Sequence, residues 1–194
     1  MPRILVFAGS ARRDSLNKKL ARVVAQYARE AGSEATFIDL DDYPIPLYHG
    51  DLEAGHGMPE NARKLRELFI AHDALLIASP ENNSSVTALL KNTIDWLSRD
   101  LADGKGVNAG LAPWRGKVAG LLAASPGGFG GVRALPHLRQ ILAALGVTVL
   151  GTQVVIPRAH EAFDGEGALR EERVAQSVRA LVAAVAGTAG RLGG

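Results

Sequence analysis

The chain has 194 residues, 47% of them hydrophobic and 22% charged, the balance of an ordinary globular domain with room for one sizeable core. Its net charge of +2 is too small to suggest nucleic acid or a membrane surface as partner, and the pI near 9.1 reflects only a slight excess of Lys and Arg over the acids. Cysteine is absent, which excludes disulfides, thiolate metal sites and cysteine nucleophiles. Met1-Pro2-Arg3 runs directly into an apolar strand, and no apolar run approaches the ~20 residues of a membrane helix. The expectation is a cytoplasmic protein.

Short apolar runs alternate with longer stretches of helical period. Arg3–Ala8 reads as a strand, and Leu16, Leu20, Val23, Val24, Tyr27 and Ala31 then fall on one helical face. Ala35–Asp39 is the second strand. Tyr43–Met58 follows as a long irregular loop with two prolines, two histidines and three glycines, a length that suggests function or an interface. A helix over Ala62, Leu65, Leu68 and Phe69 leads to strand Ala74–Ser79, and Leu89, Leu90, Ile94 and Leu97 make the next stripe. Asp100–Trp114 is a glycine-rich connection to strand Val118–Ala124. Leu135, Leu138, Ile141, Leu142 and Leu145 form a helix ended by Gly146, before strand Val147–Thr152. Val174, Val178, Leu181, Val182 and Val185 close the series, with Gly187–Gly194 expected to fray.

The strands lack polar alternation, as expected where both faces are covered. Strands each followed by a helix predict a parallel sheet in a three-layer α/β/α sandwich. Five strands suit the flavodoxin-like order 2-1-3-4-5, here as one domain over residues 1–186 with a flexible tail over 187–194. Ligands then bind beyond the carboxyl ends of strands one, three and four. The turns at those three places hold the unusual residues.

The first turn is Gly9-Ser10-Ala11-Arg12-Arg13-Asp14-Ser15-Leu16-Asn17. A helix start offers N–H groups and roughly half a positive charge. Ser10, Ser15 and Asn17 add neutral donors and Arg12 a charged fork, so the turn reads as a phosphate site. It is neither a Walker A nor a dinucleotide fingerprint. The competing reading is a helix cap by Asp14 or Ser15. The second turn, Ser79-Pro80-Glu81-Asn82-Asn83-Ser84-Ser85, offers a polar rim able to read a planar heterocycle; alone, it also suits a turn capped by Ser85 or Thr87. In the helix that follows, Asp95 stands four residues from both Lys91 and Arg99, spacing for surface ion pairs. The third turn, Ser125-Pro126-Gly127-Gly128-Phe129-Gly130-Gly131, has four glycines in five residues, more than a tight turn needs. Arg133 opposes the following helix dipole unless an acid lies near, and is read as solvated.

Together the three turns resemble the NADPH-dependent FMN reductase family of flavodoxin-like quinone, chromate and azo-compound reductases. Gly9, Ser10, Arg12, Ser15 and Asn17 match its Gly-Ser-x-Arg-x-x-Ser-x-Asn phosphate loop. Pro80, Glu81 and Asn83, then Leu90, Lys91, Asn92, Asp95, Trp96, Ser98 and Arg99, match its second motif, and Ser125, Gly127, Gly130 and Gly131 its third. The resemblance implies non-covalent FMN. Its phosphate is expected on Ser10, Arg12, Ser15 and Asn17, with Leu16 also against the cofactor, its ring along Pro80, Glu81, Asn82 and Asn83, and its other side against Ser125, Gly127 and Gly128. NADPH, or NADH, would be the co-substrate. A quinone or similar small molecule would accept electrons in ping-pong turnover. A homodimer or homotetramer is also implied, with the Tyr43–Met58 loop as part of the interface. The family's tyrosine is Asn82 here, so a more exposed or differently covered flavin is expected.

Neither a metal site nor a side-chain nucleophile is read. His49, His56, His72, His137 and His160 lack ligand spacing and read as surface or capping residues, with His49 and His56 the one pair sharing a loop. Glu81 is read as part of the turn rather than as a general base. Two alternatives stay open: a flavodoxin-like electron carrier, against which the basic pI counts, and a flavin-binding regulatory protein with weak turnover, which Asn82 would favour.

Overall fold

The computed structural model describes residues 1–99 and 109–192; part of the expected Asp100–Trp114 connection lies outside them. The chain runs β1 (Arg3–Ala8), α1 (Leu16–Glu30), β2 (Glu34–Asp39), α2 (Gly50–His56), α3 (Glu60–Ala71), β3 (Ala74–Ala78), α4 (Ala88–Leu97), β4 (Val118–Ala124), α5 (Ala134–Ala144), β5 (Thr148–Ile156) and α6 (Glu172–Leu192). The five strands form one parallel sheet in the order β2-β1-β3-β4-β5. This is the expected flavodoxin-like topology.

Successive side chains of a strand point to opposite faces, and here both faces are apolar. Ile4, Val6 and Ala8 join one buried cluster with α1 and α6. Leu5 and Phe7 join the other, with Phe69 of α3, Ile94 of α4, Leu138 of α5 and Trp114. The central strands β1, β3 and β4 are therefore buried almost throughout, which is why they carry no polar alternation. Gly120 lets α6 lie close on β4, because a Cβ there would stand 2.7 Å from Val185 and 2.9 Å from Leu76.

The elements depart from the sequence-based expectation in three places. The Tyr43–Met58 stretch is not wholly irregular, since α2 forms within it. The His49 ring caps α2 by accepting from Asp51 N at 3.2 Å, and Asp51 and Glu53 suit its dipole. None of its residues is buried, so there was no apolar stripe to read. β5 runs on to Ile156 past a register shift opposite Ala119–Leu121, and as an edge strand much of it is exposed. Finally, α6 continues through most of the stretch expected to fray, to Leu192, with Ala189 still buried against the core.

Candidate functional site

The three turns meet at the carboxyl ends of β1, β3 and β4. Gly9 N donates to Ala78 O, and Thr87 Oγ1 donates to Gly9 O at 2.6 Å while accepting from Leu90 N. Thr87, rather than Ser85, therefore caps α4 and fastens it to the first turn. Ser15 caps α1, its hydroxyl 3.4 Å from Lys18 N. The N–H groups of Leu16 and Asn17 precede any helical acceptor and are left for an outside partner. Ser10 Oγ accepts from Arg12 N at 3.3 Å. Arg12 is exposed and forms no ion pair among the described residues.

Asn17 also has a structural role that its sequence does not announce. Its side chain is buried, donating from Nδ2 to Ala124 O at 2.8 Å and accepting at Oδ1 from Ala124 N at 2.9 Å. Each end of the amide thus engages the last residue of β4, and one Nδ2 hydrogen remains beyond that bond. Asn17 can offer a ligand that hydrogen and its backbone N–H.

Glu81 and Arg133 link the second turn to the third. Glu81 Oε2 accepts from Arg133 N at 2.9 Å and Oε1 from Arg133 Nε at 2.7 Å. The acid that Arg133 requires at a helix start is thus present, and Arg133 is paired rather than simply solvated. Burial alone would raise the Glu81 pKa, but the Arg133 hydrogen bonds and charge outweigh it and hold the carboxyl below the ordinary range. A carboxyl that titrates lower when folded stabilises above its unfolded pKa, and that stability is lost as pH falls through the folded value. Arg133 is half exposed and screened, so Glu81→Gln is expected to cost only about 1 kcal/mol at neutral pH. The cost should vanish in urea melts carried down through the carboxylate range.

Asn82 and Ser85 exchange both backbone hydrogen bonds, and Asn83 and Ser84 sit between them at φ of 50° and 63°. Such a two-residue reversal needs φ > 0 at both positions, which Asn tolerates best after Gly. The glycines of the third turn divide into two kinds. At Gly130 φ is +62°, and a Cβ would lie 2.4 Å from Val155 and 2.9 Å from the Pro157 backbone. The fold itself demands that glycine. At Gly128 nothing stands within 4 Å, and at Gly127 only Ser125 Oγ does, at 3.6 Å; packing within the chain explains neither.

A cavity of about 480 Å³ opens where these pieces converge. Its wall runs from Gly9 through Ser10, Arg12, Ser15, Leu16 and Asn17, across Pro80–Asn82 and the start of α4, to Ala124–Pro126. Asn83, Gly127 and Gly128 lie outside that wall. Asn83 instead faces a neighbouring open groove with Lys91 and His137, whose Nδ1 is 2.9 Å from Ser85 Oγ. His72 is a capping residue rather than a surface one: it ends α3 and is buried between Leu68 O and Thr36 Oγ1.

The helix residues of the second motif serve a different purpose. Asn92 Nδ2 and Trp96 Nε1 both donate to Pro46 O, at 2.9 and 2.8 Å, and Asn92 Oδ1 accepts from Tyr48 N. Arg99 Nε reaches Glu53, which also accepts from the Tyr48 hydroxyl. These side chains clamp the loop before α2 onto α4. Lys91 and Asp95 make the expected i,i+4 pair at 2.6 Å. Among the described residues no group of three His, Asp or Glu is placed to hold a metal ion, and no helix is long and apolar enough to cross a membrane.

A parallel sheet ordered 2-1-3-4-5, with a cleft at its switch point, defines a flavodoxin-like protein. The sequence profile of the NADPH-dependent FMN reductases matches residues 2–161. The chain belongs to that family. It is 37% identical over 179 residues to an NAD(P)H-dependent FMN reductase of Pseudomonas aeruginosa, covering 91% of this chain and 89% of the relative. It is 32% identical over 191 residues to an NAD(P)H:quinone oxidoreductase of Solanum tuberosum, covering 96% and 92%. The solved structure of FerB, a flavoenzyme NAD(P)H:(acceptor) oxidoreductase from Paracoccus denitrificans, superposes with a TM-score of 0.81 at 30% identity, covering 98% of each chain.

Proposed function

We propose that this chain is an FMN-dependent NAD(P)H:quinone oxidoreductase that holds FMN in the cleft between the three turns. The observation that carries the reading is the open edge of the first turn. Ser10, Ser15, Leu16, Asn17 and Arg12, the last in no ion pair among the described residues, all line one cavity, and their hydroxyls, helix-start N–H groups and guanidinium are a donor set that suits a phosphate dianion. FMN, when bound, supplies the hydride chemistry. The chain's own residues hold and orient it: the first turn the phosphate end, Pro80–Asn82 one side of the ring, Ser125 and the unexplained Gly127 and Gly128 the other. Asn82 is exposed and leaves that rim open, so NADPH or NADH and the acceptor use one face in turn.

The same reading extends to a homodimer or homotetramer in the cytoplasm. Leu47 on the clamped loop and Phe129 on the third turn, 78% and 69% exposed, are the apolar side chains that such an assembly would cover.

The test is the visible spectrum of the protein after FMN loading and removal of the excess, followed by NADPH oxidation with a quinone. Retained flavin and parallel-line steady-state kinetics are expected. No retained flavin together with no turnover would overturn the assignment, and stoichiometric exchange confined to a protein partner would favour the carrier. Asn82→Tyr should tighten FMN by roughly 1 kcal/mol through ring contact. Equal affinity and equal turnover would make Asn82 irrelevant.

A further inference from the structure

Lys18 occupies an unfavourable place for a cation. It lies in the first turn of α1, where the helix dipole opposes positive charge, and its side chain is only 3% exposed. Its ammonium meets two groups. One is the Asp39 carboxylate at the carboxyl end of β2, at 2.8 Å. The other is the carbonyl of Ala11, inside the first turn, at 3.4 Å. Asp39 is itself mostly buried and also accepts from Asp41 N at 3.1 Å. Burying an ion pair costs desolvation that mutual attraction only partly repays, so stability alone is a weak reason for this one. Its location supplies a better reason. The pair sits behind the turn whose N–H groups and Arg12 border the cavity, and it is attached to that turn through Ala11.

Resting on the placement of FMN proposed above, we infer that Lys18 is a positioning residue for the flavin phosphate. It pins Ala11 and supplies a buried positive charge, with Asp39 as its resting counter-ion. The two partners then act on a docking dianion with opposite signs. Lys18 attracts it, and Asp39 both repels it and competes for the ammonium. A pair that merely held the fold together would have no such asymmetry.

Dissociation constants for FMN and riboflavin, read by fluorescence quenching, separate these cases, because riboflavin lacks the phosphate. Lys18→Met should lower the ratio of FMN to riboflavin affinity at least about tenfold, the lower end of the effect of one charge near a dianion at protein dielectric, and Lys18→Arg should restore it. Asp39→Asn should leave that ratio at or above the wild-type value, and FMN should raise its melting temperature by more than it does for wild type. The double variant Lys18→Met/Asp39→Asn buries no lone charge and, freed of the Asp39 repulsion, should lie above Lys18→Met but still below wild type, so a folding failure of the single variant leaves the question answerable. A wild-type ratio in the double variant would overturn the proposal, as would equal losses in Asp39→Asn and Lys18→Met. Arg12→Ala serves as the control on the placement of FMN. If it lowers the ratio while Lys18→Met does not, only the role of Lys18 fails. If neither lowers it, the phosphate lies elsewhere and the reading of the cleft fails too.

Discussion

Asn17→Ala is expected to lower stability by about 2–6 kcal/mol, because two buried backbone groups of Ala124 lose their partners at once and each orphan costs about 1–3 kcal/mol. That is a large share of the ~5–15 kcal/mol a domain has in total. Urea unfolding without any flavin measures it. If Asn17 were only a phosphate donor, the flavin-free protein would be unaffected and only FMN binding would suffer. Asn17→Asp sharpens the test. Its carboxylate can still accept from Ala124 N, but it sets an oxygen against Ala124 O where the amide donates at 2.8 Å. It should therefore remain destabilised, although it keeps the residue's shape.

Arg12→Ala is expected to do the reverse. The side chain is exposed and pairs with no acid among the described residues, so its loss should leave the melting temperature nearly unchanged. FMN binding should weaken by about 1.5–3 kcal/mol, the scale of a hydrogen bond to a charged group. Titration calorimetry at two salt concentrations checks both the size and the electrostatic origin, since an exposed charge is screened. Wild-type retention of FMN would remove Arg12 from the phosphate site.

The sheet was legible because its central strands are apolar on both faces, a pattern that survives without any knowledge of neighbours. The strand order followed from the count of strands and the helices between them. What the sequence hid was partnership at long range. Asn17 reads as a donor in a polar turn, with no sign that its amide also ties that turn to β4, 107 residues away. Glu81 and Arg133, 52 residues apart, carry no local sign of their union, although the dipole argument at Arg133 asked for an acid. Lys18 gave no signal, because a lysine in a first turn is normally solvated. The helix α2 was unreadable for another reason: a short exposed helix leaves no hydrophobic period. In the glycine-rich turn, composition alone did not divide Gly130, which the backbone requires, from Gly127 and Gly128, which it does not.

The amide of Asn17, the hydroxyl of Thr87 and the carboxylate of Glu81 each tie one wall of the cleft to another, and none of them needs an occupant to do so. The entropy of ordering those walls is therefore settled when the chain folds, not when a guest arrives. Such a receptacle is preorganised: it should load and release FMN as a nearly rigid body.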